Sequence, residues 1–149
     1  MKVISKQNGN QLTITIKGAL NEEAKKSLTE LHQSTATEVC FDFERLESIN
    51  SSGIRDWIQF IRKFEQNRNL SYANCPPDLI MTFNNIEADV GSAKVISLYR
   101  AYNCADCNSH HSFLLTDIKD FKAGEIPKDT RLHCQKCQGL LEPDEVAED

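Results

Sequence analysis

Cys104-Ala105-Asp106-Cys107 and Cys134-Gln135-Lys136-Cys137 are two Cys-x-x-Cys pairs with 26 residues between them. Two residues between paired cysteines let one tight turn aim both sulfurs at one ion. Four thiolates presented this way close a tetrahedral shell suited to zinc. A closed shell leaves no position for a substrate or a reactive water, so the zinc expected here is structural. Iron held by four sulfurs takes the same ligand set. One pair alone would suit thiol redox chemistry, but two pairs bounding one short segment suit a metal better. Turn-prone residues follow each pair, Asn108 after the first and Gln138-Gly139 after the second. His110, His111 and His133 flank the pairs and read as solvent-facing or supporting residues rather than ligands. Cys40 and Cys75 fall in or beside strand-like segments and read as buried structural residues.

A second group is Asn50-Ser51-Ser52-Gly53. It stands directly before the clearest amphipathic segment of the chain. Ile54, Trp57, Ile58, Ile61 and Phe64 recur there at helical spacing, with Arg55, Gln59, Arg62, Lys63 and Gln66 on the other side. Phe60 lies at the margin of the apolar arc and reads as core edge. Ser51 and Ser52 have the residue type that caps a helix N-terminus.

The elements that position these groups are legible as periodicities. Gln11–Lys17 alternates apolar and polar residues, the mark of a half-buried strand, and Asn8-Gly9-Asn10 before it suggests a hairpin with Lys2–Ser5. Gly18 stops the strand. Asn21 then reads as the cap of a helix with Glu22 and Glu23 in its first turn and Ala24, Leu28 and Leu31 as its apolar stripe. Val39–Phe43 reads as a central strand and Leu70–Asn74 as another. Pro76-Pro77 leads into a short helix over Asp78–Phe83, and Lys94–Tyr99 reads as the last strand. Strands alternating with helices predict an α/β sheet with helices packed on it.

Gly18-Ala19-Leu20-Asn21, Phe41-Asp42-Phe43, Asn50-Ser51-Ser52-Gly53 before an apolar helix, and Asn74-Cys75-Pro76-Pro77-Asp78 resemble, in order, the features of the STAS family (sulfate transporter and anti-sigma factor antagonist). The resemblance runs from about residue 2 to residue 100. It implies a mixed β-sheet with helices packed on it and regulation by protein contact. It places the partner surface at Asn21, Asn50, Ser51, Ser52, Gly53, Arg55 and Asp56. In the family's antagonist branch the first serine of the motif is phosphorylated by a partner kinase, which makes Ser51, with Ser52 beside it, the phosphorylation candidate. A phosphate adds about −1.5 to −2 charge, and backbone N–H groups at a helix N-terminus can hold it. Gly53 would let the backbone approach another chain. Two positions depart from the family pattern. The aspartate of the motif is Asn50, and that of the Gly-x-Leu-Asp turn is Asn21, so two carboxylates are replaced by neutral amides. The second segment resembles a zinc ribbon, with Phe113–Leu115 and Arg131–His133 as its strand material.

The charge follows this division. Residues 1–100 carry 12 basic and 12 acidic side chains, whereas residues 101–149 carry 5 basic and 10 acidic. The excess of −5 therefore lies with the cysteine pairs and with Glu142, Asp144, Glu145, Glu148 and Asp149. We expect a STAS-like domain over 1–101 and a zinc-ribbon-like segment with an acidic tail over 102–149. Between Cys104 and Cys137 the charges are 5 basic and 5 acidic, and bound thiolates add negative charge, so protein contact is favoured over nucleic acid. No apolar run approaches the roughly 18 residues of a membrane span, and Met1–Lys6 lacks the apolar core of a secretory signal. A cytoplasmic protein without membrane insertion is the expectation, and six cysteines there are not expected to form disulfides.

No Ser-His-Asp signature, phosphate-cradling glycine loop or open three-ligand metal site is present, so the chain is not expected to be an enzyme. The expected function is a bacterial regulatory module binding an anti-sigma factor with kinase activity. A second branch of the resemblance implies an accessory subunit binding the ATPase of an ABC lipid transporter. A thiol redox enzyme using the cysteine pairs is the alternative from a different class.

Overall fold

The computed structural model describes residues 1–85, 92–116 and 133–143. The first hairpin forms as its turn predicts. β1 (Lys2–Asn8) pairs antiparallel with β2 (Gln11–Leu20), and Gly9 supplies a positive φ of 63° at the turn. β3 (Glu38–Asp42), β5 (Asn69–Ala73) and β6 (Lys94–Val95) then add in parallel, giving the order β1-β2-β3-β5-β6. β4 (Leu46–Ile49) pairs with the far end of β2, at Gly18–Leu20. β2 thus has β3 beside its first half and β4 beside its second. Gly18, at φ 93°, marks the shift of register between them.

Three helices connect these strands: α1 (Ala24–Glu30), α2 (Ser51–Phe64) and α3 (Pro77–Asn85). Alternation along the strands sends Leu12, Ile14, Ile16, Val39, Phe41, Leu70 and Tyr72 to one buried face. α2 lays Trp57, Phe60, Ile61 and Phe64 on it. The centre is aromatic: Phe41 meets Trp57 edge-on at 4.9 Å, and Phe83 of α3 stacks on Tyr72 at 5.5 Å. Trp57 donates its indole N–H to the Tyr72 hydroxyl at 3.2 Å, so the polar ends of both large rings are paired inside the core. Phe60 is buried and packs on Phe64 at 4.9 Å, as its core-edge reading expected. The opposite face carries Lys6, Thr13, Cys40, Ser71 and Lys94 in one register row. Burial raises the thiol pKa of both isolated cysteines, and Cys75, fully enclosed, reaches about 12. Neither is a ready nucleophile.

The chain then changes sheet. The single strand expected over Lys94–Tyr99 is two strands, because Ile96-Ser97 breaks it and Ser97 donates its hydroxyl to Asn74. β7 (Leu98–Cys104) is the centre of a second sheet, with β8 (His110–Leu115) on one side and β9 (Leu141–Pro143) on the other. Leu98 belongs to the first core, whereas Tyr102 and Cys104 belong to a small second one with Cys134 and Leu141. The change of core falls within β7, next to residue 101. Phe113–Leu115 lies in β8 as expected. Of Arg131–His133 only His133 is within the described residues, where it makes a single bridge to Leu140.

Three further expectations are corrected. The helix after Asn21 begins at Ala24, so Glu22 and Glu23 precede it rather than filling its first turn. Asn21 caps a turn instead, its carboxamide oxygen accepting from the Glu23 N–H at 3.1 Å. Leu46–Ile49, for which the periodicities predict no element, is β4: its half-polar sequence pairs because β2 outruns β3. The helix-facing turn of the sheet also uses Gly53 internally. A Cβ there would overlap the Leu20 carbonyl and come within 2.6 Å of the Asn21 backbone nitrogen. Gly53 lets α2 approach the end of β2 in its own chain.

Two outcomes follow. Helix propensity alone would make Gly53→Ala stabilising by about 1 kcal/mol. The backbone overlap reverses the sign, and a loss of at least about 2 kcal/mol is expected in denaturant unfolding. A more stable Gly53→Ala protein would overturn the packing. Desolvation against Phe60 and Phe64, then the charges of Arg68 and Lys63, hold the His32 pKa below its ordinary value. The folded protein then binds fewer protons than the unfolded chain, so this contribution is present above about pH 6.5 and lost as pH falls through the lowered value. Thermal midpoints measured between pH 8 and 5.5 should fall less steeply for His32→Gln than for the native chain.

Candidate functional site

The loop at Asn50 is built by one carboxamide used in both directions. Asn50 is the N-cap of α2, with extended backbone (φ −131°), and its Oδ1 accepts from the Gly53 N–H at 2.9 Å. Its Nδ2 donates to a Glu22 carboxylate oxygen at 3.0 Å. The Asn50 backbone N–H is taken by the Leu20 carbonyl at 3.0 Å. The cap is therefore Asn50, and Ser51 and Ser52, expected as possible caps, are the first two residues of the helix. An aspartate at position 50 could accept from Gly53 but could not donate to Glu22, and the two carboxylates would repel. The neutral amide thus matches this chain's own Glu22. The Glu22 carboxyl is held below its usual range by its own backbone N–H and then by Asn50.

The residues named for partner contact separate by exposure. Ser51 and Arg55 are exposed, Asn50 is exposed around its two hydrogen bonds, and Asn21, Ser52 and Asp56 are half-buried. Gly53 is buried. Ser51 and Arg55 lie one turn apart, and Gln59, Arg62 and Lys63 continue the exposed side of α2. The Ser51 hydroxyl is thus presented at the positive end of a 14-residue helix.

The four cysteines meet at the other site. Their sulfurs all lie within 4.8 Å of one another, with Cys104 and Cys137 at 3.4 Å and Cys107 and Cys134 at 3.6 Å. Two turns of the same construction bring them there. The Asn108 N–H returns to the Cys104 carbonyl at 2.9 Å, and the Gln138 N–H to the Cys134 carbonyl at 2.8 Å. Cys104 N–H then bonds to the Ser109 carbonyl and Cys134 N–H to the Gly139 carbonyl. Asn108 and Gln138 both take positive φ, 59° and 63°. These closures point each pair of sulfurs inward. Cys104 and Cys134 are buried, and Cys107 and Cys137 are exposed. A Cβ at Gly139 would meet the Asp106 carboxylate of the first turn, whose side chain would have to shift, so the two turns pack closely where they meet.

The donor set fits a metal. The Cys134 thiol is lowered to about 5, chiefly by the Ser109 hydroxyl, with help from the N–H groups of Cys137 and Lys136. At Cys137 the Gly139 N–H pulls downward, but the sulfur of Cys104, burial and the sulfurs of Cys107 and Cys134 raise it to about 12. Four sulfurs this close cannot all hold negative charge unless a cation shares it. Sequence reasoning missed two contributors, Ser109 and the particular histidine His111. The Ser109 oxygen lies 3.0 Å from the Cys107 sulfur and 3.3 Å from the Cys134 sulfur. His111 Nε2 lies 2.8 Å from the same oxygen. His111 was one of three nearby histidines, and only the alternation of β8 distinguishes it from His110.

Comparison with solved structures bears out the fold. The chain is similar to the anti-sigma factor antagonist SpoIIAA in its unphosphorylated form, at 19% identity and a TM-score of 0.48, over 63% of this chain and 86% of that one. It is also similar to a serine-to-glutamate variant of RsbS from Moorella thermoacetica, at 15% identity and a TM-score of 0.52, over 64% of this chain and 86% of that one. No protein-family model and no curated protein matches the chain. The mixed sheet with three helices is the STAS-like α/β fold, and the cysteine cluster is compatible with a zinc-ribbon-like segment. Among the described residues no helix is long and apolar enough to cross a membrane.

Native mass spectrometry of the full chain should find one metal ion bound per molecule. Cys134→Ser combined with Cys137→Ser should abolish it and lower the thermal midpoint, because a structural site contributes its binding energy to folding. Undiminished metal in the double variant would exclude these cysteines as ligands.

Proposed function

We propose that the chain is a non-enzymatic regulatory module. It binds a protein partner through the Asn50–Gly53 loop and the exposed side of α2, and phosphorylation of Ser51 switches that contact. The observation that carries this reading is the placement of Ser51: an exposed hydroxyl in the first turn of α2, with Arg55 one turn along the same side. A phosphate there would add about −1.5 to −2 charge to a surface whose exposed side on α2 is mostly basic. It would also stand beside the Glu22 carboxylate that Asn50 holds. A partner matched to the unmodified surface would lose its fit by repulsion and bulk. The resemblance of the Asn50–Gly53 motif to the antagonist branch of the STAS family supports a partner of the kind that branch binds, a regulator with kinase activity, in the cytoplasm of a bacterium.

The segment over 102–149 is read as a structural unit that takes zinc at Cys104, Cys107, Cys134 and Cys137. Four thiolates, with no fifth ligand in the cluster among the described residues, favour a closed site, which supports stability rather than catalysis. The division near residue 101 follows the change of core within β7.

Affinity purification of the full chain from its native cells, with partners identified by mass spectrometry, tests the reading. A kinase-fold partner should be retained by the native chain and by Ser51→Ala, and lost, by at least tenfold, with Ser51→Glu. Phosphopeptide mapping should place phosphate on Ser51. Partner retention unchanged in both variants, with Ser51 unmodified, would overturn the switch.

A further inference from the structure

The four sulfurs do not have equivalent surroundings. The two turns repeat the same backbone hydrogen bonds, but the residue that closes them differs: Ser109 in the first, Gly139 in the second. Gly139 carries no hydroxyl, and the Asp106 carboxylate fills the space beside it. Among the described residues, the Ser109 hydroxyl therefore serves the half of the site formed by Cys107 and Cys134.

That donor has its own support. β8 alternates, and its register sets His111 opposite Tyr102 of β7, on the side facing the sulfurs. The His111 ring lies near parallel to Phe113, at 6.2 Å and 21°. Its Nε2 reaches the Ser109 oxygen at 2.8 Å and the Cys134 sulfur at 3.4 Å. Thiolate sulfurs only accept, so the single Ser109 hydrogen points to sulfur and its oxygen is left to accept. The partner of that oxygen must donate, which places the ring proton on Nε2.

Resting on the reading of the cysteines as a metal site, we infer that Ser109 and His111 are positioning residues of that site. His111 Nε2–H donates to Ser109 Oγ and Cys134 Sγ, and Ser109 Oγ–H donates to the Cys107 and Cys134 sulfurs. The relay spreads the negative charge of the exposed Cys107 and the buried Cys134 onto neutral donors. It fixes the direction of both sulfurs and lowers their availability to solvent electrophiles. Loss of such an outer donor typically weakens metal binding by about 10–100-fold while leaving the ligand set intact. His110 has no place in the relay, because its ring faces the other side and pairs with Asn103.

The test uses the full chain with Zn²⁺ and Co²⁺ as probes. Ser109→Ala and His111→Phe, the latter keeping a ring to lie on Phe113, should each bind one ion per chain. Each should release Zn²⁺ to a competing chelator at about 10–100-fold lower chelator concentration. The Co²⁺ forms should keep tetrahedral visible bands and show a shifted thiolate-to-cobalt charge-transfer band. Ser109→Thr, which retains the hydroxyl, should restore both readouts, and His110→Phe should change neither. Nitrogen-detected NMR of the zinc form should show the His111 proton on Nε2. Variants indistinguishable from native in metal release and Co²⁺ spectrum, or a proton on Nδ1 alone, would overturn the relay and leave the metal site standing. A native chain that takes up neither ion would overturn both.

Discussion

Everything near the candidate regulatory surface depends on one close approach, that of the first turn of α2 to the end of β2. The approach is possible because position 53 has no side chain to meet the Leu20 carbonyl. Once α2 sits there, the Leu20 carbonyl can take the Asn50 N–H, and the Asn50 carboxamide reaches both the Gly53 N–H and Glu22. The same seating sets the rotation of the helix. Trp57, Ile61 and Phe64 fall on Phe41 and Tyr72, and Ser51, Arg55 and Gln59 are left outside. The exposed surface is therefore a consequence of the core contact, not an independent feature. A change that lifted the helix by a methyl group would displace Ser51 and the aromatic centre together.

The two asparagines illustrate how a departure from a motif acquires a local reason. Considered as single positions, Asn21 and Asn50 appear as lost carboxylates. In the folded chain each carboxamide oxygen does what a carboxylate oxygen would do: it accepts a backbone N–H two or three residues on. The added N–H₂ of Asn50 is what differs, and it is used on Glu22, 28 residues earlier in the chain. The local function of the motif, closing a turn and capping a helix, survives the change of residue. Its charge does not, and any partner must meet a neutral amide beside an acid instead of two acids.

The helices and central strands were legible because their apolar residues repeat at 3.6 or 2 and because they are long enough to express the period. α2 is the clearest case, with Trp57, Ile61 and Phe64 marking its buried side. β4 was not legible. Leu46–Ile49 is short and half polar, and it becomes a strand only because β2 extends past β3 and leaves an edge free at Gly18–Leu20. The break at Ile96-Ser97 was equally invisible locally, since it arises from Ser97 bonding to Asn74 across the sheet. The cysteine ligands were legible from spacing alone, whereas Ser109 and His111 were not. Their role depends on which side of β8 faces the sulfurs, which is set by pairing with β7 and not by their own neighbours.

β7 makes one strand answer to two sources of order. Its first residues are tied to the large core: Leu98 is buried there, the Tyr99 N–H bonds to the Cys75 carbonyl at 2.8 Å, and the Tyr99 hydroxyl donates to Glu44. Among the described residues, its last residues belong to a core of four buried side chains, two of which are metal-ligand candidates. A metal held by the four cysteines would add a cross-link to that second sheet. The first sheet is held by a core of aromatic and aliphatic side chains from all three helices. Loss of metal should then loosen the chain from Cys104 back toward Ala101 and stop where Leu98 and Tyr99 are held. The surface around Ser51 lies beyond that limit, joined to the first core through Gly53. β7 thus ties the second sheet to the first core through Leu98 and Tyr99, and the surface around Ser51 is held to that same core by the seating of α2.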